Sequence, residues 1–273
     1  MVAEILKAIL LGIVEGVTEW LPISSTGHMI LVDEVVQLDT SPEFKELFMV
    51  VIQLGAILAV LSLFWNKIFP FQFKKGEPVI QKNTMEMWGK IIIATIPAAI
   101  VGVFFDEQIN ALFYRYEVVA IALIGYGVLF LFIETYNKRR KPKMNSIEEL
   151  TYPAVWLIGF FQLLAAVIPG TSRSGATILG GILIGTSRVA ATEFTFYLAI
   201  PAMFGASLLK FIKFGFHFTG GELMVLLIGM VTAYIISELV IRFLMGYIKK
   251  HDFKVFGWYR IVLGIVVLLI LGK

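Results

Sequence analysis

The chain has 273 residues, of which 58% are hydrophobic, 16% are charged and none is cysteine. Soluble domains contain roughly 45–50% apolar residues, and a chain without cysteine has no disulfide, thiolate metal site or cysteine nucleophile. The net charge of +3 is small and the basic residues are confined to a few loops, which argues against a nucleic-acid partner. Because the apolar runs are continuous rather than alternating, the sequence predicts an all-α polytopic membrane protein and excludes a β-barrel.

The first predicted helix covers residues 2–19 and carries Glu15 and Glu19 on one face, four residues apart. Pro22 ends it. The next helix, which ends near Gln37, is too short to span a bilayer, so we expect a re-entrant pair. Its N-cap candidates are Ser24, Ser25 and Thr26.

Three predicted spans follow, at residues 47–65, 88–105 and 118–136. The second half begins with a helix at 152–168, which Pro169 and Gly170 end, and a short apolar segment at 175–185. The chain is completed by spans at 190–210, 222–245 and 254–272. The sequence thus predicts about six transmembrane helices and two re-entrant broken-helix pairs.

The two halves have the same order of elements, which indicates a duplication. At one offset of 147 residues, the matched pairs are Gly12 and Gly159, Glu15 and Gln162, Pro22 and Pro169, Ser24 and Thr171, and Ser25 and Ser172. We therefore expect a single membrane domain over 1–273, with repeats at about 1–136 and 152–273 and a basic linker at 137–151. Three crossings per half require the repeats to be inverted in the membrane, an architecture common among transporters.

Loop charge predicts the orientation. The positive-inside rule assigns three basic loops to the cytoplasm, at residues 66–87, 137–151 and 246–254. The first of these loops includes Lys74 and Lys75. The mixed-charge turn at 106–116 and both chain ends then lie outside.

Two polar segments, residues 15–28 and 169–177, interrupt this apolar chain. Polar groups in such surroundings cost several kcal/mol each unless they are paired or bind a ligand. One proline and hydroxyl turn alone is usually a structural kink, but two such segments together favour one shared site.

Each of these turns starts a helix, whose N-terminal N–H groups favour phosphate. Two such termini beside Arg173, which offers bidentate contacts, predict a site for a polyanion. The hydroxyl donors expected to help hold it are Ser24, Ser25, Thr26, Thr171, Ser172, Ser174 and Thr177.

The carboxylates and His28 predict chemistry at this site. Glu15 and Glu19 either hold a divalent cation that bridges to the substrate or include a general base. His28 is a proton donor, a proton acceptor or a nucleophile, and Ser25 is the best candidate for an attacking hydroxyl. Glu15 considered by itself has a second interpretation, as the ion-pair partner of Lys7.

Other polar residues within the spans have simpler interpretations. Glu238 and Arg242 are expected to pair along one helix. Gln53 and Gln162 are expected to form hydrogen bonds between helices. Arg260 is either a structural anchor or a charge that balances the carboxylates.

At these residues the chain resembles a known family. Glu15-Gly-Val-Thr-Glu19-Trp-Leu-Pro-Ile-Ser-Ser-Thr-Gly-His28 and Pro169-Gly-Thr-Ser-Arg-Ser-Gly-Ala-Thr177 are similar to the two signature motifs of bacterial undecaprenyl-diphosphate phosphatases of the bacitracin-resistance type. The resemblance extends over the whole chain, and the motifs are long and specific.

The resemblance implies a multi-pass hydrolase of the bacterial inner (plasma) membrane with its site open to the outer side. It would convert undecaprenyl diphosphate to the monophosphate carrier for peptidoglycan synthesis, with Mg²⁺ or Ca²⁺ as cofactor. Carried onto this chain, Glu15 and Glu19 would be metal-linked or acid–base residues, and Ser25 or His28 the nucleophile. Arg173 and the neighbouring hydroxyls would hold the diphosphate.

Two other functions fit parts of the pattern. A secondary transporter or lipid flippase would also have inverted repeats and charges at the midplane, and a non-catalytic scaffold for cell-wall assembly would need no reactive groups. The expected partners are a polyprenyl diphosphate and membrane lipids. Small residues at Gly180, Gly181 and Gly185 allow helix contacts and leave a homodimer open.

Overall fold

A computed structural model describes residues 1–73, 78–215 and 217–272 of the chain. These residues form ten α-helices and no β-strand, and six of the helices are long and apolar enough to cross a membrane. The chain is therefore an all-α, multi-pass membrane protein, as its composition predicts. Lys74 and Lys75 of the predicted basic loop lie outside the described residues.

The helices of the first half are two short ones and three long ones. They are α1 (Val2–Thr18), α2 (Ser25–Asp33), α3 (Pro42–Ile68), α4 (Lys82–Phe113) and α5 (Tyr116–Asn137). The second half has the same order. Its helices are α6 (Tyr152–Val167), α7 (Arg173–Leu183), α8 (Arg188–Phe214), α9 (Gly220–Tyr247) and α10 (Lys254–Leu271).

The helix order is the one that the duplication predicts, and equivalent glycines make equivalent contacts. A Cβ on Gly12 would lie 2.6 Å from the Gly229 carbonyl oxygen, and one on Gly159 would lie 2.7 Å from that of Ala94. These glycines let α1 pack closely on α9 and α6 on α4. The inversion of one repeat in the membrane stays a prediction.

Several predicted boundaries are wrong, since α3 begins at Pro42 rather than at 47 and α4 begins at Lys82 rather than at 88. The charged turn expected at 106–116 is largely helix, because α4 continues to Phe113. Asp106 and Glu107 lie within this helix, and each has a carboxylate oxygen 3.7 Å from Lys213 Nζ. The short helix α2 ends at Asp33 rather than near Gln37, because Val35 and Val36 both donate to the Val32 carbonyl and close a turn.

The short helices α2 and α7 lie between the long ones. The α7 helix contacts α5, α6 and α8, while α2 contacts α1, α5 and α10. Every residue from Ser174 to Ile182 is buried, so Gly180 and Gly181 pack inside the protomer, against Phe161 and Ala191. These two glycines are therefore buried within one protomer and do not supply the small-residue face that was expected to leave a homodimer open.

Ion pairs at the helix ends fasten the long helices together. Glu134 of α5 is fully buried and accepts hydrogen bonds from the Arg188 guanidinium and, at 3.0 Å, from the Phe253 N–H. This contact joins α5, α8 and the start of α10. The predicted pair of Glu238 and Arg242 is confirmed at 2.8 Å.

Candidate active site

The two turns begin their helices in the same unusual way. Ser24 and Ser172, the N-caps of α2 and α7, have positive φ angles of 75° and 68°. Non-glycine residues adopt this region only where the surrounding structure imposes it. Each cap hydroxyl accepts the N–H three residues on, from Gly27 at 3.3 Å and from Gly175 at 3.1 Å.

The shared cap geometry corrects the alignment of the repeats. Ser24 is equivalent to Ser172, not to Thr171, and Ser25 is equivalent to Arg173. The turn after Pro169 is one residue longer than the turn after Pro22, which shifts every later pair by one. A fixed offset could not show this insertion.

The capped helices leave backbone donors unused. The third and fourth N–H groups of each turn bond to the caps. The earlier ones have no hydrogen-bond partner in the part of the chain that the structure describes. They belong to Ser25 and Thr26 of α2 and to Arg173 and Ser174 of α7. Unpaired N–H groups and the positive end of the helix dipole make such termini anion sites.

Glu19 links the two turns. Its Oε2 accepts a hydrogen bond from Ser25 Oγ at 2.9 Å, and its Oε1 accepts one from Arg173 Nη2 at 2.9 Å. Arg173 Nη1 also donates to the Thr195 carbonyl at 3.1 Å, which fixes the guanidinium. The structure therefore brings Glu19, Ser25 and Arg173 together from opposite halves of the chain.

A small cavity lies against this group. It has a volume of about 240 Å³ and is lined by Glu19, Ser25, Thr26, Ser172 and Arg173, among others. A second cavity of about 710 Å³ shares Ser25 and Thr26 with it and extends to the charged end of α3. Gln53 lines both cavities and has no hydrogen-bond partner among the described residues, so the helix-bridging hydrogen bond expected of it is not formed there. Gln162 does bridge, with Nε2 3.4 Å from the Ala94 carbonyl.

Glu15 is a buried carboxylate beside this site. It is 1% exposed, lies close enough to Glu19 for the two carboxyl groups to interact, and lines the larger cavity. Its Oε1 has no hydrogen-bond partner among the described residues, and Lys7 pairs with Glu4 instead, at 2.7 Å. An orphaned carboxylate oxygen next to a second carboxylate fits a divalent cation.

The protein supplies only part of a metal shell. Within the described ranges, no group of three or more His, Cys, Asp or Glu side chains is placed to hold a metal. Mg²⁺ commonly takes one or two carboxylates and fills its other positions with water and substrate phosphate. Glu15 and Glu19 match that pattern better than a closed protein site.

His28 is held by two contacts that do not include Ser25. Its Nδ1 lies 2.7 Å from the Ser24 carbonyl oxygen and its Nε2 lies 2.7 Å from the Tyr259 hydroxyl. The carbonyl is only an acceptor, so Nδ1 carries a proton, and in the neutral imidazole Nε2 accepts from Tyr259. Sequence reasoning missed Tyr259, because an aromatic residue in a membrane span gives no distinctive signal.

Four of the seven predicted phosphate-binding hydroxyls, those of Ser24, Thr171, Ser174 and Thr177, lie away from the cavity. Ser174 Oγ donates to the Glu19 carbonyl at 3.0 Å, and Thr177 Oγ1 donates to the Arg173 carbonyl at 2.9 Å. Thr171 is completely buried. The predicted residues that line the cavity are Ser25, Thr26 and Ser172. Ser24 and Ser172 both use their hydroxyls as helix caps.

Comparison with known proteins gives a consistent result over nearly the whole chain. The family model described as bacitracin resistance protein BacA matches residues 8–266. A protein of Desulfitobacterium hafniense named undecaprenyl-diphosphatase is 64% identical over 266 residues, which cover 97% of this chain and 95% of the relative. Undecaprenyl-diphosphatase 1 of Clostridium acetobutylicum is 62% identical, with 97% and 96% covered. An undecaprenyl-diphosphatase of Enterococcus faecalis is 61% identical, with 98% and 97% covered.

Proposed function

Because the chain belongs to the BacA family of bacitracin resistance proteins, we propose that it is a membrane phosphatase that hydrolyses undecaprenyl diphosphate. The products are undecaprenyl phosphate and inorganic phosphate. Relatives at 61–64% identity bear the name of this activity. The observation that carries the proposal is the contact of Ser25 and Arg173 with the two oxygens of Glu19, 2.9 Å each, between two helix N-termini.

The diphosphate head group is bound by backbone donors and by Arg173. The free N–H groups of Ser25, Thr26, Arg173 and Ser174 come from both halves of the chain and lie at the positive ends of α2 and α7. Arg173 has five N–H donors, and two contacts leave others for the phosphate. Phosphoryl transfer mainly requires such positioning and charge stabilisation.

Ser25 is the nucleophile and Glu19 its base. The Ser25 hydroxyl already donates to Glu19, so its proton passes to that carboxylate as Oγ bonds to the terminal phosphorus. The bond from that phosphorus to the bridging oxygen breaks, and undecaprenyl phosphate leaves. Glu19 passes this proton to the departing undecaprenyl phosphate and is ionised again. It then takes a proton from a water molecule, whose oxygen bonds to the phosphorus of the phosphoserine. The bond from phosphorus to Ser25 Oγ breaks, Glu19 returns the proton to Oγ, and inorganic phosphate leaves.

His28 has a supporting role in this scheme. Both of its ring nitrogens are engaged, by the Ser24 carbonyl and by Tyr259, and neither contacts Ser25. By bonding to Ser24 the imidazole supports the residue with positive φ that precedes the nucleophile. This geometry favours Ser25 over His28 as the attacking group.

Mg²⁺ or Ca²⁺ held by Glu15 and Glu19 would offset the negative charge of the diphosphate. The unpartnered Oε1 of the buried Glu15 supports a cation there. Turnover should therefore fall on addition of EDTA and return with Mg²⁺ or Ca²⁺. Glu15→Gln should raise the metal concentration needed for half-maximal turnover.

The prenyl chain lies in a groove between α4, α6 and α8. This cavity of about 400 Å³ reaches Arg173 and is lined by small residues, among them Ala98, Gly102, Ala202 and Gly205. An apolar groove that leads to a charged site suits an amphiphile whose head group is hydrolysed while its tail stays in lipid.

The site opens to the outer side of the bacterial plasma membrane. Its larger cavity extends toward the end of the bundle that holds Asp33, Lys45 and Glu46. The basic loops, which the positive-inside rule assigns to the cytoplasm, lie at the other ends of the same helices. A homodimer is a further proposal, which native mass spectrometry of the purified protein tests.

Phosphate release tests the function directly. Purified protein in detergent should release phosphate from undecaprenyl diphosphate, and the Ser25→Ala variant at equal folded concentration should not. A transporter or flippase would release none in either form. The relatives named above support a phosphatase and give the transporter alternative no support.

A further inference from the structure

Arg260 is a buried cation that the scheme above does not use. It lies in the second turn of α10 at 0% exposure. All of its hydrogen bonds go to main-chain carbonyls, and no carboxylate of the described residues pairs with it. Burying a cation without a carboxylate partner is unfavourable, so packing alone does not explain it.

The Arg260 guanidinium contacts the proline turns of both halves. Its Nη1 donates to the Pro22 carbonyl at 3.3 Å, and its Nη2 donates to the carbonyls of Gly170 and Thr171 at 2.9 and 2.8 Å. These residues directly precede the caps of α2 and α7. One side chain therefore sets the relative position of the two helix N-termini.

These contacts also orient a backbone donor. The Thr171 carbonyl and the Ser172 N–H belong to one planar trans peptide, in which the two groups point in opposite directions. Ser172 lines the site cavity, and its N–H has no hydrogen-bond partner in the described part of the chain. By holding the carbonyl on one side, Arg260 fixes the donor on the other.

We propose that Arg260 is a positioning residue for the diphosphate site. It holds the Ser172 N–H and the two helix termini in place. Its positive charge, which three carbonyls and the Tyr126 ring contact but no carboxylate of the described residues neutralises, favours a bound anion. The inference rests on the proposed function and adds a residue that does not itself touch the substrate. The alternative is that Arg260 only stabilises the fold. Glu134 has such a structural role, because it is equally buried but lies at the end of α5, away from the turns.

Two substitutions separate the charge of Arg260 from its forked geometry. Arg260→Met removes both at similar volume, whereas Arg260→Lys keeps the charge and loses the fork. Glu134→Gln is the matched control, because it weakens a buried brace away from the site. For each protein we would measure melting temperature, kcat for undecaprenyl diphosphate, and Kd for the methylene-bisphosphonate analogue of farnesyl diphosphate, which cannot be hydrolysed.

The expected result is a split between binding and turnover. Losing an oriented donor at such a site costs about 10²–10³-fold in rate, so kcat should fall by that factor in both Arg260 variants. Analogue binding should weaken at least tenfold in Arg260→Met and recover to within threefold of wild type in Arg260→Lys. Glu134→Gln should lower the melting temperature and leave kcat and Kd within threefold of wild type.

Several outcomes would overturn the inference. For folded Arg260→Met, these outcomes are a kcat within threefold of wild type or unchanged analogue binding. For Arg260→Lys, they are full recovery of kcat or no recovery of analogue binding. Failure of both Arg260 variants to fold would make the residue a brace and equally refute a positioning role. If the wild type itself releases no phosphate, the proposed function fails, whereas the binding arm still tests Arg260.

Discussion

Ser25 and Glu19 share one proton transfer in the proposed reaction, and a double-mutant cycle measures how strongly their effects on turnover are coupled. Ser25→Ala should lower turnover by at least about 10³-fold, and Glu19→Gln by about 10²–10⁴-fold, because each removes one end of the same proton transfer. The double variant should be no slower than the worse single one. Losses that multiply in single-turnover phosphate release would contradict the pairing. Thr135→Ala is the control, since that hydroxyl only bonds within its own helix.

The identity of the nucleophile can be tested by trapping the covalent intermediate. Acid quenching during turnover, followed by peptide mass spectrometry, should find phosphate on the peptide that contains Ser25, localised to that hydroxyl. His28→Ala should reduce turnover only about 10- to 100-fold, because it loosens the Ser24 turn without removing the attacking group. A parallel alkaline quench preserves phosphohistidine. Phosphate on His28 in that sample, or loss of all turnover in His28→Ala with the protein folded, would favour the imidazole.

At the scale of elements, the sequence predicts the helices better than the contacts between them. Hydropathy and prolines indicate all ten helices, because each apolar run must pair its own backbone in lipid. The equivalence of Ser24 and Ser172 could not be predicted, since it depends on a one-residue insertion that only the cap angles show. Tyr259 was also out of reach as a site residue, because helix packing alone brings α10 to the turns of the other helices. Arg260 was predicted as a structural anchor or as a charge that balances the carboxylates, but its contacts with the main-chain carbonyls of both turns could not be predicted.

Close packing at Gly12 and Gly159 holds the helices that carry the site. A Cβ at Gly12 would lie 2.6 Å from the Gly229 oxygen, so Gly12→Ala should destabilise the protein by about 1–3 kcal/mol through overpacking. The α1 helix leads to Glu15 and Glu19, so kcat should fall as well. Gly89→Ala is the matched control, since nothing lies within 4 Å of its Cβ. Equal melting temperatures for the two variants would refute the packing argument.

At the scale of the whole molecule, the sequence predicts one membrane domain with two similar halves, and its orientation follows from loop charge alone. The chain contains no cysteine, so labelling of a single introduced cysteine shows which side of the membrane that position faces, with no labelling of native thiols. Glu107→Cys replaces a side chain that is 86% exposed at the end of α4, and Lys250→Cys lies in the loop before α10. A membrane-impermeant maleimide added to intact cells should label Glu107→Cys and leave Lys250→Cys unlabelled until the membrane is opened. The reverse labelling pattern would put the phosphate site on the cytoplasmic side, where it could not act on diphosphate lipid at the outer surface. Labelling of both cysteines from outside would contradict the inverted repeat itself.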